Sequence, residues 1–130
     1  MKVGQLSEAA IYTNDLAAAE KFYGGVLGLE KISEMENRGM AFRCGATVLL
    51  VFNPARTRIR DSEVPTHGAD GEGHIAFVID GSELEGWRRR LSEYGIAIEA
   101  EVDWPQGGRS IYFRDPARNS VELAPPALWL

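Results

Sequence analysis

Apolar and polar residues alternate with a period of two in several short runs of this chain, and two longer stretches between them carry helical spacing. Residues 6–13, Leu-Ser-Glu-Ala-Ala-Ile-Tyr-Thr, predict a strand in which Ala9 and Ile11 oppose Glu8 and Ala10. A helix follows. Asn14 or Asp15 can cap its free amides, and Leu16, Ala19, Phe22, Tyr23, Val26 and Leu27 recur at helical spacing. Gly28 can end it in a left-handed conformation, while Gly24 and Gly25 weaken its last turn. Residues 29–34, 40–44 and 47–53 then predict three strands, separated by Glu36-Asn37-Arg38-Gly39 and by Gly45-Ala46.

Residues 54–72 are rich in Arg, Asp, Pro and Gly without a clear period, which predicts a surface connection with no element of its own. A connection of that length usually serves as a lid or a crossover. The grammar then repeats. Gly73-His74-Ile75-Ala76-Phe77-Val78-Ile79-Asp80 predicts a strand buried on both faces, with His74, Ala76 and Val78 on one and Ile75, Phe77 and Ile79 on the other. A helix over 82–94 has a capping box (Ser82 with Glu85), an apolar stripe (Leu84, Trp87, Leu91, Tyr94), a stop (Gly95) and a solvated side (Arg88, Arg89, Arg90). Strands near 96–102, 109–114 and 119–124 complete the set. Leu27-Gly28-Leu29 matches Tyr94-Gly95-Ile96, Ala41-Phe42-Arg43 matches Tyr112-Phe113-Arg114, and Val48-Leu49-Leu50 matches Val121-Glu122-Leu123. The expected fold class is therefore α+β: two βαβββ repeats pairing into a curved, partly open mixed sheet around a central trough. The first module spans about 1–54, the connection 55–72 and the second module about 73–130, together one domain.

Composition narrows the function. The chain has 130 residues, a formal net charge of −5 and 45% hydrophobic residues, which fits a globular protein and argues against nucleic acid or anionic membrane as partner. The single cysteine, Cys44, cannot form an internal disulfide. No apolar run reaches the roughly 20 residues that span a bilayer, and Met1-Lys2-Val3-Gly4-Gln5 lacks the apolar core of a signal peptide, so a cytoplasmic protein acting on a small molecule is expected. The apolar tail Ala124-Pro125-Pro126-Ala127-Leu128-Trp129-Leu130 should leave water by packing on a second subunit or over a sheet edge, and a homodimer is expected.

The repeat also gathers candidate chemistry. Glu8 and His74 occupy equivalent places in the first strands of the two halves, and Glu122 lies in the last strand of the second, at the place Leu49 holds in the first. On one trough floor, an imidazole and two carboxylates would suit a divalent Zn, Mn or Fe ion. Taken singly, each is an ordinary solvated or hydrogen-bonded residue; the repeat links them. Arg109 opens a strand near the trough and could pair a substrate carboxylate or stabilise developing charge. His67 could hang over the trough as an acid or base, Trp104 could wall the pocket or fill core, and Cys44 reads as packing.

The residues Asn14-Asp15-Leu16, Phe22-Tyr23, Leu27-Gly28-Leu29, Gly73-His74-Ile75-Ala76-Phe77, Asp115-Pro116 and Asn119-Ser120-Val121-Glu122-Leu123 together resemble the vicinal oxygen chelate superfamily of glyoxalases, bleomycin resistance proteins and extradiol dioxygenases. In Asp115-Pro116-Ala117-Arg118-Asn119, Pro116 would fix φ and Asn119 would take the left-handed region, delivering Glu122 to the sheet. The resemblance implies metal ligands at Glu8, His74 and Glu122, with Leu49 in a fourth ligand's place and unable to coordinate. It implies a metal-dependent lyase or dioxygenase acting on a small oxygen-rich substrate, with Glu122 in the catalytic centre; Arg109 is the further catalytic candidate that the residues themselves offer. The alternative it offers is a metal-free small-molecule or antibiotic-binding protein.

Overall fold

Each half of the chain builds a four-stranded mixed sheet whose apolar face is backed by a helix. The computed structural model describes residues 1–130 and divides into two compact units, Met1–Gly71 and Glu72–Leu130. The stretch expected to link the modules therefore belongs mostly to the first.

In the first unit, β1 (Glu8–Tyr12), β2 (Glu30–Met35), β3 (Gly39–Cys44) and β4 (Thr47–Phe52) form a sheet in the order β1-β4-β3-β2. The β1–β4 pair is parallel and the others antiparallel. Helix α1 (Leu16–Glu20) starts where Asp15 accepts a hydrogen bond from the Ala18 amide, and it continues as a π-helical turn over Lys21–Val26 that contains Gly24 and Gly25. That turn buries Phe22, Tyr23 and Val26, and the Tyr23 ring lies 6.2 Å from that of Phe42 on β3. The connection is not featureless: Pro54–Thr57 forms a short helix, α2, capped by Asn53. Proline at its first position already has helical φ, and Asn53 supplies the acceptor that a period-based reading does not weigh.

In the second unit, β5 (His74–Val78), β6 (Ala100–Asp103), β7 (Arg109–Arg114) and β8 (Ser120–Ala124) repeat the plan in the order β5-β8-β7-β6, again with one parallel pair, β5–β8. Helix α3 (Leu84–Glu93) buries Leu91, and one face of the sheet buries Ile111, Phe113, Val121 and Leu123. Its C-terminus closes with the Ile96 amide donating to the Leu91 carbonyl while Gly95 takes φ +71°. Gly28, φ +74°, ends the first half's helix alike.

Five expectations need correction here. Strand β5 is not buried on both faces: His74, Ala76 and Val78 are exposed and Ile75 and Phe77 half-buried, because only the face shared with Ile75 and Phe77 is covered within this unit, and β5 is also an edge strand. The capping group for the second helix is Asp80, which accepts from the amide and hydroxyl of Ser82; Glu85 pairs with Arg88 instead. Arg88 is not a bare solvated residue, since it also pairs with Glu101 on β6, whereas Tyr94 is exposed and leaves the apolar stripe. At the β7–β8 turn the left-handed residue is Arg118, φ +74°. Asn119 is freed to use its side chain.

Candidate active site

Strand alternation decides which side chains can meet. In the parallel β5–β8 pair, His74 stands opposite Ser120 and Ala76 opposite Glu122; in the antiparallel β7–β8 pair, Tyr112 stands opposite Glu122. The period of two therefore puts Ser110, Tyr112, Glu122 and His74 on the face away from the buried Ile111, Phe113, Val121 and Leu123.

Glu122 is 4% exposed and no lysine or arginine pairs with it. Its Oε2 accepts a 2.6 Å hydrogen bond from the Ser110 hydroxyl, and Ser110 Oγ in turn accepts from the Trp104 indole N–H at 2.8 Å. Its Oε1 lies 3.4 Å from His74 Nε2. His74 Nδ1 is 3.1 Å from the Ser120 carbonyl. A carbonyl can only accept, so Nδ1 carries a proton, and Nε2 is the nitrogen turned toward the Glu122 oxygen. A ring nitrogen and a carboxylate oxygen facing each other at that distance share either a proton or a cation. Tyr112 stacks on His74, with ring centroids 6.4 Å apart and planes 22° apart. Burial, and after it the Glu122 carboxylate, raises the Tyr112 phenol above its usual value, so the hydroxyl keeps its proton in neutral solution.

The corner that delivers these groups is a buried hydrogen-bonded knot. Asp115 accepts from the amides of Ala117 and Asn119 and from the Asn119 carboxamide nitrogen, at 2.8–2.9 Å. Asn119 Oδ1 accepts from the Gly73 amide at 2.8 Å, and so fixes the residue before His74. A Cβ on Gly73 would come within 3.1 Å of that same oxygen, which is why a glycine precedes the histidine.

The first unit places Glu8 at the exposed head of β1, opposite Val48 and on the same face as Ala10 and Tyr12. His67 reaches Tyr12 from the connection: its Nδ1 lies 2.7 Å from the phenolic oxygen, and its ring packs edge-on to Phe52 at 5.0 Å. Neither half gathers three His, Cys, Asp or Glu side chains into one cluster. The pair His74 and Glu122 lies in the second, and Glu8 in the first. An open cavity of about 520 Å³ in the first unit, between α1 and the β2–β3 hairpin, is lined by none of the expected site residues.

Two site expectations are corrected by register. The counterpart of Glu122 is Leu50 and not Leu49: Ala10 stands opposite Leu50 as Ala76 stands opposite Glu122. Leu49 is buried on the helix face, and a slip of one residue reverses the face. Arg109 falls on that helix face as well, paired with Asp103 at 2.6 Å and Glu101 at 3.7 Å, while its neighbour Ser110 points to the Glu122 face. Ser110 and Tyr112 are the residues that sequence reading passed over. Their signal was available in the alternation of β7, where a serine and a tyrosine share parity on the strand beside Glu122.

Comparison with known proteins agrees with this architecture. Residues 5–123 match the family model described as the Glyoxalase/Bleomycin resistance protein/Dioxygenase superfamily. The structure is similar to that of lactoylglutathione lyase from Agrobacterium tumefaciens, with 39% identity, a TM-score of 0.92 and coverage of 98% of both chains. A fosfomycin resistance protein from Listeria monocytogenes shares the fold at 23% identity and a TM-score of 0.74, covering 98% of this chain and 97% of its own. So does an integron cassette protein from V. cholerae, at 23% identity and a TM-score of 0.74, over 97% of this chain and 98% of its own.

Proposed function

The chain belongs to the glyoxalase/bleomycin resistance protein/dioxygenase superfamily, and from that premise we propose a divalent-metal-dependent enzyme, of the lyase class, acting on a small oxygen-rich substrate. The observation that carries this reading is the facing of His74 Nε2 and Glu122 Oε1 across 3.4 Å, with Nδ1 directed at a carbonyl and no basic side chain at hand. Two donors bound about 2.1 Å from one tetrahedral ion stand about 3.4 Å apart, so the pair fits a Zn, Mn or Fe site. A half-exposed imidazole beside a buried carboxylate also leaves the ion a side open to substrate. Glu8, exposed at the head of β1, is kept as the third ligand proposed from the repeat. The lyase class is favoured because the relative at 39% identity is named a lactoylglutathione lyase.

When bound, the ion would act as a Lewis acid toward vicinal oxygens of the substrate. The chain's own groups do the rest. The ring N–H of His74 is tied to Ser120, which orients the imidazole. Tyr112, stacked on that ring, offers a phenolic O–H to an oxygen on which negative charge develops. Glu122 would be the carboxylate to take or return a proton, through Oε1, when that oxygen is not held by the ion. Arg109, held by two carboxylates on the opposite face, has no part in this reading.

We also propose a cytoplasmic homodimer. No helix is long and apolar enough to cross a membrane. Val78 on β5 is 70% exposed, and Trp129 and Leu130 remain more than 90% exposed although the tail is tethered through Leu128 to Gln106. Elemental analysis of protein purified without added metal tests the main reading. One ion per expected site in the wild type and none in His74→Ala is the expected result. Metal-free wild type binding a screened ligand as tightly as His74→Ala would instead favour the metal-free binding protein.

A further inference from the structure

We infer that Ser110, itself held by Trp104, is a positioning residue that restricts Glu122 to ligation through one oxygen; this rests on the metal site proposed above. The direction of each hydrogen bond is fixed by chemistry. An indole N–H can only donate, so at 2.8 Å Trp104 Nε1 occupies a lone pair of Ser110 Oγ, and the single serine proton goes to Glu122 Oε2 at 2.6 Å. Ser110 is fully buried and Glu122 nearly so, so no bulk water competes for these bonds. Oε1 is the oxygen that this relay leaves free, and it faces His74 Nε2, with the Tyr112 hydroxyl also beside the carboxylate.

The anchor of this relay is backbone. Trp104 opens the turn between β6 and β7, its amide donating to the Gly108 carbonyl and its carbonyl accepting from the Gly107 amide. Gly107 and Gly108 both take positive φ, +105° and +84°, and a Cβ on Gly108 would come within 2.5 Å of Pro125. The turn is thereby braced against the segment just beyond β8, and Gln106 adds a 3.0 Å bond to the Leu128 carbonyl. A rigid turn fixes the indole, the indole fixes the hydroxyl, and the hydroxyl fixes which carboxylate oxygen is free. Without the serine, Glu122 could turn either oxygen, or both, toward an ion.

The experiment titrates Co²⁺ into wild type, Ser110→Ala and Trp104→Phe, recording affinity by calorimetry and the visible absorption of the bound ion, with circular dichroism as the check on folding. Ser110→Ala is expected to weaken Co²⁺ binding by roughly 10- to 100-fold, the usual cost of losing a group that orients a ligand. Its visible band is expected to fall in intensity as two-oxygen ligation raises the coordination number. Trp104→Phe, which spares the serine, should act in the same direction by about three- to tenfold. Wild type that binds Co²⁺ while Ser110→Ala matches it in affinity and spectrum would overturn the inference and leave the metal site standing. Should Ser110→Ala fail to fold, an unchanged affinity and spectrum in Trp104→Phe overturns it equally. Wild type that takes up no Co²⁺ would overturn the metal reading and this inference with it.

Discussion

The two halves of the chain keep one register and put different chemistry on it. Glu8 opposite Val48 corresponds to His74 opposite Ser120, and Ala10 opposite Leu50 corresponds to Ala76 opposite Glu122. Where β3 of the first half sets Ala41 against Leu50, β7 of the second sets Tyr112 against Glu122. The first half thus has leucine and alanine where the second carries a buried carboxylate and a phenol, and Gly39, with no side chain, where the second has Ser110. It also covers part of that face from its own connection, through His67 on Tyr12 and Phe52. The second half leaves the His74 side chain 54% exposed beside a carboxylate that is 6% exposed. A duplicated frame supplies equivalent places; residue type at a few of them decides which half carries the polar chemistry.

The comparison breaks most completely if Glu122 is given the residue of its counterpart. Glu122→Leu is expected to abolish metal uptake with little change in the melting temperature, because relief from burying a carboxylate without a basic partner is offset by the Ser110 hydroxyl left without its acceptor. Metal retained at wild-type stoichiometry would count against Glu122 as a ligand. A smaller effect is expected from Asn119→Ala, which unties a corner that the first half replaces with the two-residue turn Gly45-Ala46. Two hydrogen bonds between buried or half-buried groups are lost, so urea denaturation should register a destabilisation of roughly 1–3 kcal/mol. A value within error of wild type would mean that the Gly73 and Asp115 groups find other partners.

The smallest effect concerns acid. In the second half, hydrogen bonding to Arg88 lowers the Glu101 carboxyl below 4.5, and hydrogen bonding to Arg109 lowers that of Asp103 below 3.8. Groups with depressed folded values contribute stability that is present above their unfolded values and lost as pH falls through the folded ones. In the first half the shifted group is Lys31, raised above 10.5 by its hydrogen bond to Glu20, and its contribution is lost only as pH rises through the raised value. Hydrogen exchange followed as pH falls below about 4.5 should therefore show β6–β7 losing protection before β2–β3, and an Arg88→Ala, Arg109→Ala double variant should reduce the difference. All these carboxylates are exposed, so salt should weaken the effect.

Much of this was legible because it is encoded locally. Leu91 at helical spacing, Gly28 and Gly95 at positive φ and the alternation in β4 and β8 each depend on neighbours a few residues away, and the periods of 3.6 and 2 report them directly. The repeat followed from those periods, and with it the pairing of His74 and Glu122 on one face. Reading failed where a one-residue choice of parity mattered. Val48-Leu49-Leu50 aligns almost as well one step out of place, and Arg109, the more striking residue in composition, lies on the opposite face from Ser110.

The sequence by itself therefore determined the order of elements, the duplicated α+β plan, the superfamily and the placing of His74 and Glu122 on one face of the second half. Only the tertiary structure decided that β5 lies at a sheet edge, that Leu50 is the counterpart of Glu122, that Asp80 caps the second helix and that Trp104 reaches Glu122 through Ser110. Strand neighbours come from pairings across distant sequence, such as His74 with Ser120, and the direction of a hydroxyl proton is fixed by what surrounds it in space. Neither leaves a period in the chain.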